Sequence, residues 1–341
     1  VNTELKVDRR LLIDALNKVV PGLTTEEVLE QSDCFVFQNG RIMTYNDEVC
    51  ASVPFQFGGW NGAVKSQKLL QILNKMEAAE IKITITDNEV RISSSKSRLG
   101  IPAQQAVTLP VQEVRPPEEN SDQWKDVPQD FTTALRFCMF STAKDGKSEP
   151  VLNCIHISGD YAESCDDSRS TRYKMSGKME HDLCIPRNTA VELSKLVITK
   201  VAVDASFIHF LTEDKVVFSR RKTCSGYPDL SGFFEVQGTE MILPETLGET
   251  LMRAGIFSSD NDNNYVEIVV ASGVMTVTGK GNGGWFQERD KVHFPEDIRF
   301  FINPTFFKEA LSVMQSILVA DNRICMNGER FSHAVCLTTQ E

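Results

Sequence analysis

The sequence predicts an α+β protein built from one helix-sheet-helix-sheet unit repeated three times. Leu16, Leu135 and Leu251 each sit in a short amphipathic segment (LLIDALNKV, FTTALRFCMF, LPETLGETLMRAG), at intervals of roughly 120 residues. A second series follows at about half that distance: VKSQKLLQILNKM from Val64, IPRNTAVELSKLV from Ile185 and INPTFFKEALSVM from Ile302. After each of the six segments come short runs of alternating character split by polar turns, such as KITITDNEVRISSS from Lys82 and YVEIVVASGVMTVTGKG from Tyr265. The period is longer than that of common solenoids, so each repeat is large enough to enclose its own core. The repeats are expected at 1–110, 127–230 and 231–341, with 111–126 as a linker.

The first repeat starts with the strand ELKVD and a helix near Leu11 to Val20. Strands follow around Phe35 to Phe37, Arg41 to Tyr45 and Val49 to Val53, and a corner with Gly58, Gly59 and Gly62 leads into the second helix. These glycines lack the GxxxxGK or GxGxxG spacing of a phosphate-binding loop. Lys96 and Arg98 read as turn or sheet-edge residues, and PAQQAVTLP as the closing strand. VQEVRPPEENSDQWKD, rich in proline and charge, is the clearest linker.

In the second repeat the helix FTTALRFCMF precedes STAKDGKSEPVLNCIHIS, whose Lys144 and Lys147 make a basic tip that is either solvated or able to meet a polyanion. The mixed charges of YAESCDDSRSTRYKMSGKM (Asp166, Asp167, Arg169, Arg172, Lys174) read as a salt-bridged hairpin, with no histidine or nucleophile beside them for catalysis. Pro186 opens the next helix, Val191, Leu193, Leu196 and Val197 form its apolar stripe, and strands, a basic pair and a YPD turn follow. The third repeat begins with the expected strand SGFFEVQGTE, turns at SSDNDNN and GKGNGG, and ends on the strand SHAVCLTT.

The 341 residues are 41% hydrophobic, enough for two or three cores, with no apolar run of membrane-spanning length and no basic-then-apolar start. Nine cysteines stand singly, without CxxC pairs. An intracellular chain with reduced, mostly buried thiols and neither metal nor cofactor is expected. The net charge of −11 alone argues against nucleic acid, but net charge is a sum and can conceal a basic face. The non-apolar helix sides carry Arg10, Lys18, Lys68, Lys75, Arg136, Lys195, Arg253 and Lys308, interrupted by Asp14, Glu192, Glu249 and Glu309. One such face is ordinary solvation, whereas six placed equivalently by a repeat sum into one field.

The segments just quoted resemble the bacterial sliding clamp, the β subunit of the replicative DNA polymerase holoenzyme, and its phage-encoded relatives. IPRNTAVELSKL with VVFSRRKTCSGYPDL follows that family's V/I-P-R helix, S-R/K strand end and G-[YF]-P-D. CDDSR from Cys165 falls where clamps carry T-D-x-x-R, and VKSQKLLQIL with EVRISSSKSRLGI matches the equivalent part of the first repeat. The resemblance covers essentially the whole chain and is strongest in the second repeat.

What it implies is a DNA-clamp fold of three similar domains, two chains closing head to tail into a ring, and duplex DNA held without base reading. The chain would be a non-catalytic accessory subunit of the cytoplasm, bacterial or phage-infected, that faces DNA with the eight helix cations and with Lys144 and Lys147. Polymerase, clamp loader and repair proteins would dock short peptides in a cleft. By position its wall comprises Cys165, Asp167, Ser168, Arg169, Ser170 and Arg172, with Phe233, Phe234 and Glu235, and the terminal Val335, Cys336, Leu337 and Thr338. Ser170 replaces a usual leucine, Glu235 a usual proline, and Cys336-Leu337-Thr338-Thr339 an M-P-M-R-type ending, which implies a different peptide or weaker binding and a divergent or phage-encoded member. Two other readings stay open: a hydrolase using Asp166 and Asp167, which would need a metal or base, and a structural or scaffold protein of repeated domains.

Overall fold

Asp8 both ends a strand, β1 (Thr3–Asp8), and starts a helix, α1 (Arg9–Val19). Its carboxylate accepts the backbone N–H groups of Arg10 (2.8 Å) and Leu11 (3.1 Å), which satisfies donors that a first helical turn leaves free. The computed structural model describes residues 3–86, 88–143, 149–223, 226–259, 264–320 and 322–336. The first repeat continues with β2 (Cys34–Gln38), β3 (Arg41–Tyr45), β4 (Val49–Pro54), β5 (Gly62–Lys65), α2 (Ser66–Lys75), β6 (Glu80–Ile85), β7 (Glu89–Ser93) and β8 (Arg98–Gln104). The second has β9 (Lys125–Asp126), α3 (Phe131–Cys138), β10 (Cys154–Cys165), β11 (Arg169–Pro186), α4 (Arg187–Leu193), β12 (Ile198–Val203), β13 (Phe207–Thr212) and β14 (Val217–Arg221). The third has β15 (Thr239–Met241), α5 (Leu247–Ser258), β16 (Val266–Ala271), β17 (Val274–Gly281), β18 (Gly284–Lys291), β19 (Ile298–Ile302), α6 (Pro304–Leu311), β20 (Met314–Val319), β21 (Arg323–Gly328) and β22 (Phe331–Cys336).

Strand order repeats with the sequence. The closing strands of the three repeats are ordered β1-β6-β7-β8, β9-β12-β13-β14 and β15-β20-β21-β22. The opening strands are ordered β5-β2-β3-β4 in the first repeat and β19-β16-β17-β18 in the third. In the second repeat the same four places are filled by two long strands. Register shifts around Gly159 split them, so that Cys154–Ile157 face Leu183–Pro186 and Tyr161–Cys165 face 170–174.

By contact the chain forms two units, Val1–Val127 with Lys195–Thr223, and Pro128–Ser194 with Cys224–Glu341. The expected middle segment is thus shared. Its β14 pairs with β4 (Val217↔Ser52 to Arg220↔Val49), which completes a twelve-stranded sheet in the first unit. Its β11 pairs with β22 (Arg169↔Val335 to Tyr173↔Phe331) in a six-stranded sheet of the second unit, which also holds a four-stranded one. Backbone ladders at these seams satisfy strand edges that would otherwise stay open.

Each unit has its own core: Leu12, Leu16, Phe35, Phe210 and Phe218 in the first, Phe131, Phe300, Phe306 and Phe307 in the second, all essentially inaccessible. Burying each of these aromatics is worth roughly 1.5–3 kcal/mol. Gly279 shows how tightly α5 packs on β17, since a Cβ there would lie 1.9 Å from the Ala254 carbonyl oxygen.

Several expectations need correction. SGFFEVQGTE is not a strand: 231–233 form a single 3-10 turn and pairing begins at Thr239. PAQQAVTLP stops pairing at Gln104, because buried Gln31 captures the next backbone groups; its Nε2 donates to the Ala106 carbonyl (2.7 Å) and its Oε1 accepts from Thr108 N (3.0 Å) and Leu109 N (3.3 Å). Pro186 ends β11 and caps α4 rather than opening it, and Val197 is 68% exposed, so the apolar stripe stops at Leu193. Cys336 is exposed rather than buried.

Candidate functional site

The helices pack in pairs, α1 beside α2 in the first unit, α3 beside α4 and α5 beside α6 in the second. Arg10, Lys68 and Lys75 are exposed, with no ion-pair partner among the described residues. Arg136 is exposed and among the described residues reaches only the Thr133 hydroxyl (3.4 Å), and Lys308 is exposed on α6. Lys195 lies exposed just beyond α4. Two expected cations are already committed. Lys18 turns to the β13–β14 turn and pairs with Asp214, whose pKa is held below the usual value although partial burial pushes it up. Arg253 pairs with both oxygens of Glu288 (Nη2 2.8 Å, Nε 3.0 Å) and approaches Glu249 (3.6 Å); its hydrogen bonds lower the Glu288 pKa. Lys144 and Lys147 lie outside the described residues.

The second candidate site grows from the β10–β11 turn. Asp166 closes it by accepting from Ser168 N (2.9 Å), Ser168 Oγ (3.1 Å), Arg169 N (3.0 Å) and Arg169 Nε (2.9 Å). Cys336 N donates to the Ser168 carbonyl (2.8 Å), which holds the end of β22 against this turn. Cys165 is buried and its N–H donates to Tyr227 Oη (3.0 Å), so the YPD turn is anchored beneath it. Burial pushes the Tyr227 pKa far up, and the phenol stays neutral and able to donate.

Arginines stacked on aromatics line the rest. Arg172 pairs with Glu163 and lies over the rings of Phe234 (4.7 Å) and Tyr161 (5.0 Å). Arg323 donates to the Phe233 carbonyl (2.9 Å) and covers its ring (5.0 Å), and Arg169 lies over Tyr265 (5.3 Å). Val335 is buried opposite Arg169, while Asp167, Ser168, Glu235 and Cys336 are exposed. Ser170 is fully buried, its hydroxyl donating to the Ser164 carbonyl (3.2 Å), so it belongs to the floor of the turn rather than to an accessible wall. Leu337 and Thr338 lie outside the described residues. Sequence reading missed Glu163, Tyr161, Tyr265 and Arg323, which carry no motif; Tyr227 stood in the quoted G-Y-P-D and could have been found there.

These groups offer apolar faces, arginine donors and an exposed strand end, a surface suited to a short peptide. A Ser141–Thr171–His333 chain nearby (Ser141 Oγ to Thr171 Oγ1 2.6 Å, Thr171 Oγ1 to His333 Nδ1 2.7 Å) has hydrolase-like elements. All three side chains are wholly inaccessible and burial lowers the His333 pKa well below its usual value, so the cluster is sealed from substrate and holds the seam instead.

No family model and no curated protein matches the sequence. Solved structures do match. A sliding clamp (DNA polymerase III subunit beta) from Bartonella birtlesii bound to griselimycin superimposes with a TM-score of 0.80 at 13% identity, covering 100% of both chains. The DNA polymerase III β chain of Streptococcus pneumoniae gives 0.77 at 15% identity over 99% of this chain and 100% of that one. The β subunit of Thermotoga maritima gives 0.75 at 15% over the same shares. The chain therefore has the sliding-clamp fold along its whole length.

Proposed function

We propose that the chain is a DNA sliding clamp: two copies join head to tail around duplex DNA and tether a polymerase and other DNA-processing proteins. One observation carries the reading. Within the chain, β4 pairs with β14, and the first half of β11 pairs with β22. By strand order, β18 is the third counterpart of β4, and β8 the third counterpart of β14 and β22. Yet among the described residues β18 pairs only with β17, and β8 over Arg98–Pro102 only with β7. The repeat thus leaves one strand edge of each kind open, and a second copy supplies the missing partner to both. Trp285 on β18 and Ile256 on α5, 67% and 68% exposed, give that edge an apolar rim.

Three repeats in each of two chains make six, and the resulting contact is heterologous but closed. Inside such a ring Arg10, Lys68, Lys75, Arg136 and Lys308 meet phosphates loosely, while the acidic remainder keeps DNA off other surfaces. Peptides from partners dock on Phe233, Phe234 and the stacked arginines, beside the exposed strand end at Cys336. The test pairs sedimentation with retention on nicked circular DNA. A species of twice the 38.2 kDa chain mass that stays on circular DNA and runs off when the circle is cut is expected; a stable monomer or trimer at micromolar concentration overturns the reading.

A further inference from the structure

The first unit contains a cavity of about 280 Å³ beneath the linker, near the lower size limit for small-molecule pockets. Its lining includes Met43, Leu211 and Val217 from the sheet, Pro116 and Pro117 from the linker, and Trp124. It lies where two apolar clusters stop short of each other, one holding Cys50 and Val114, the other Trp124 and Leu211. Two successive prolines have no N–H to give to the sheet below, so the linker arches over the gap instead of sealing it.

One polar group of the lining is incompletely used. Arg41 donates through Nε to Ser52 Oγ (2.6 Å) and through Nη2 to the carbonyls of Ser52 (3.2 Å) and Lys215 (3.0 Å). Its Nη1 has no hydrogen bond among the described residues, and burial lowers its pKa. Among the described residues neither carboxylate of the lining hydrogen-bonds it: Glu119 acts on it through space and pairs with Lys215 (2.9 Å), and Glu118 contributes its backbone carbonyl to Trp124 Nε1 (3.0 Å). Arg41 and Lys215 balance Glu118 and Glu119, so the lining is neutral in sum and favours a neutral guest.

We propose that this cavity binds a neutral, flat aromatic molecule of roughly ten to thirteen non-hydrogen atoms carrying one carbonyl oxygen, its ring against Trp124 and its carbonyl on Arg41 Nη1. The probe is 2-naphthamide, titrated into protein labelled with 5-fluorotryptophan. The chain has three tryptophans, and the Trp124 resonance is identified as the one lost in Trp124→Phe.

That resonance shifts saturably below millimolar ligand, while those of Trp60 and Trp285 stay in place. Arg41→Met weakens binding about tenfold, the loss of one hydrogen bond from a charged donor. Val217→Phe, which enlarges a lining side chain, abolishes it. On the unaltered protein 2-naphthoate and 2-methylnaphthalene both bind more weakly than the amide, the first for its charge and the second for its missing acceptor. No saturable shift at Trp124, equal shifts at all three tryptophans, or equal affinity for the three ligands overturns the proposal, and the ligand series needs no variant to fold.

Discussion

Replacing Trp285 by alanine tests the open-edge reading most directly. A tryptophan offers up to about 250 Å² of surface, so its 67% exposure leaves roughly 160 Å² for a partner to cover. If half of that is covered at the joint, about 80 Å² at 25 cal/mol/Å² contributes about 2 kcal/mol per interface. Separating a closed pair into monomers breaks two interfaces, so the loss counts twice: about 4 kcal/mol, or roughly a thousandfold in the dissociation constant. Opening one interface loses only half of this, roughly thirtyfold. Sedimentation velocity over a concentration series measures the first quantity and the rate of loss from circular DNA reports on the second. Val197→Ala, at an exposed apolar residue next to β12, which six strands separate from β8 in the sheet, is the control and should change neither. A Trp285→Ala dissociation constant within threefold of the unaltered protein would refute the assignment of β18 to the joint.

Charge reversal at Arg10, Lys68, Lys75, Arg136 and Lys308 together should abolish retention on circular DNA, whereas neutralising Lys18 and Arg253, already paired with carboxylates, should change it little; equal effects from both sets would remove the inner-face assignment. Phe234→Ala should weaken a bacterial clamp-binding peptide by about 2 kcal/mol in calorimetry without altering sedimentation, and unchanged binding would place the partner elsewhere. Stability should fall in mild acid. Burial lowers the pKa of both His209 and His333 below 6.5, so the unfolded chain takes up protons that the folded one refuses. Stability is complete well above that pH and is lower at pH 5.5, by up to about 1.4 kcal/mol for His333, whose pKa lies well below 6.5, and by less for His209, where Asp204 opposes the effect of burial. Urea midpoints that are the same at pH 7.5 and 5.5 would contradict this.

Helices and most strands were legible because their signals are local. INPTFFKEALSVM, read as an amphipathic segment, contains α6, which Asn303 caps by accepting from Phe306 N at 3.0 Å. The mixed charges around Cys165 read as hairpin ion pairs, and Asp166–Arg169 and Glu163–Arg172 are such pairs. The failures involve partners distant in the chain. Phe233 and Phe234 look like strand residues until Arg323 and Arg172 cover them, and the strand expected through Val107 gives way to the side chain of Gln31, more than seventy residues earlier. The set of helix cations was overcounted for a similar reason, since Lys18 and Arg253 look free in the sequence and folding pairs both with carboxylates.

The two seams inside the chain use one backbone arrangement with opposite side-chain chemistry. At β4–β14 the partners are charged: Arg220 with Glu48 (2.8 Å), Arg221 with Asp47 (2.7 Å) and Tyr45 Oη (2.6 Å), and Arg41 with the Lys215 carbonyl. At β11–β22 they are buried: the Ser141–Thr171–His333 hydroxyl chain, with Phe137 against Phe331 (5.0 Å) and Phe140 against Phe306 (4.5 Å). Arg220 is 4% exposed, so removing Glu48, itself largely exposed, would leave a buried guanidinium without its carboxylate, which favours keeping the first seam closed. Breaking the second would expose a packed aromatic core and three desolvated polar groups, which favours keeping it closed too. The open β18 edge has neither device. It offers Trp285 and Ile256 over a strand of mostly exposed, charged residues, Glu288, Arg289, Asp290 and Lys291, with Glu288 already held by Arg253. In the ring we propose, a joint of this composition would close through a few apolar anchors and solvated charges, so of the three equivalent seams it would be the one able to part and reclose, as admission of a closed DNA circle requires.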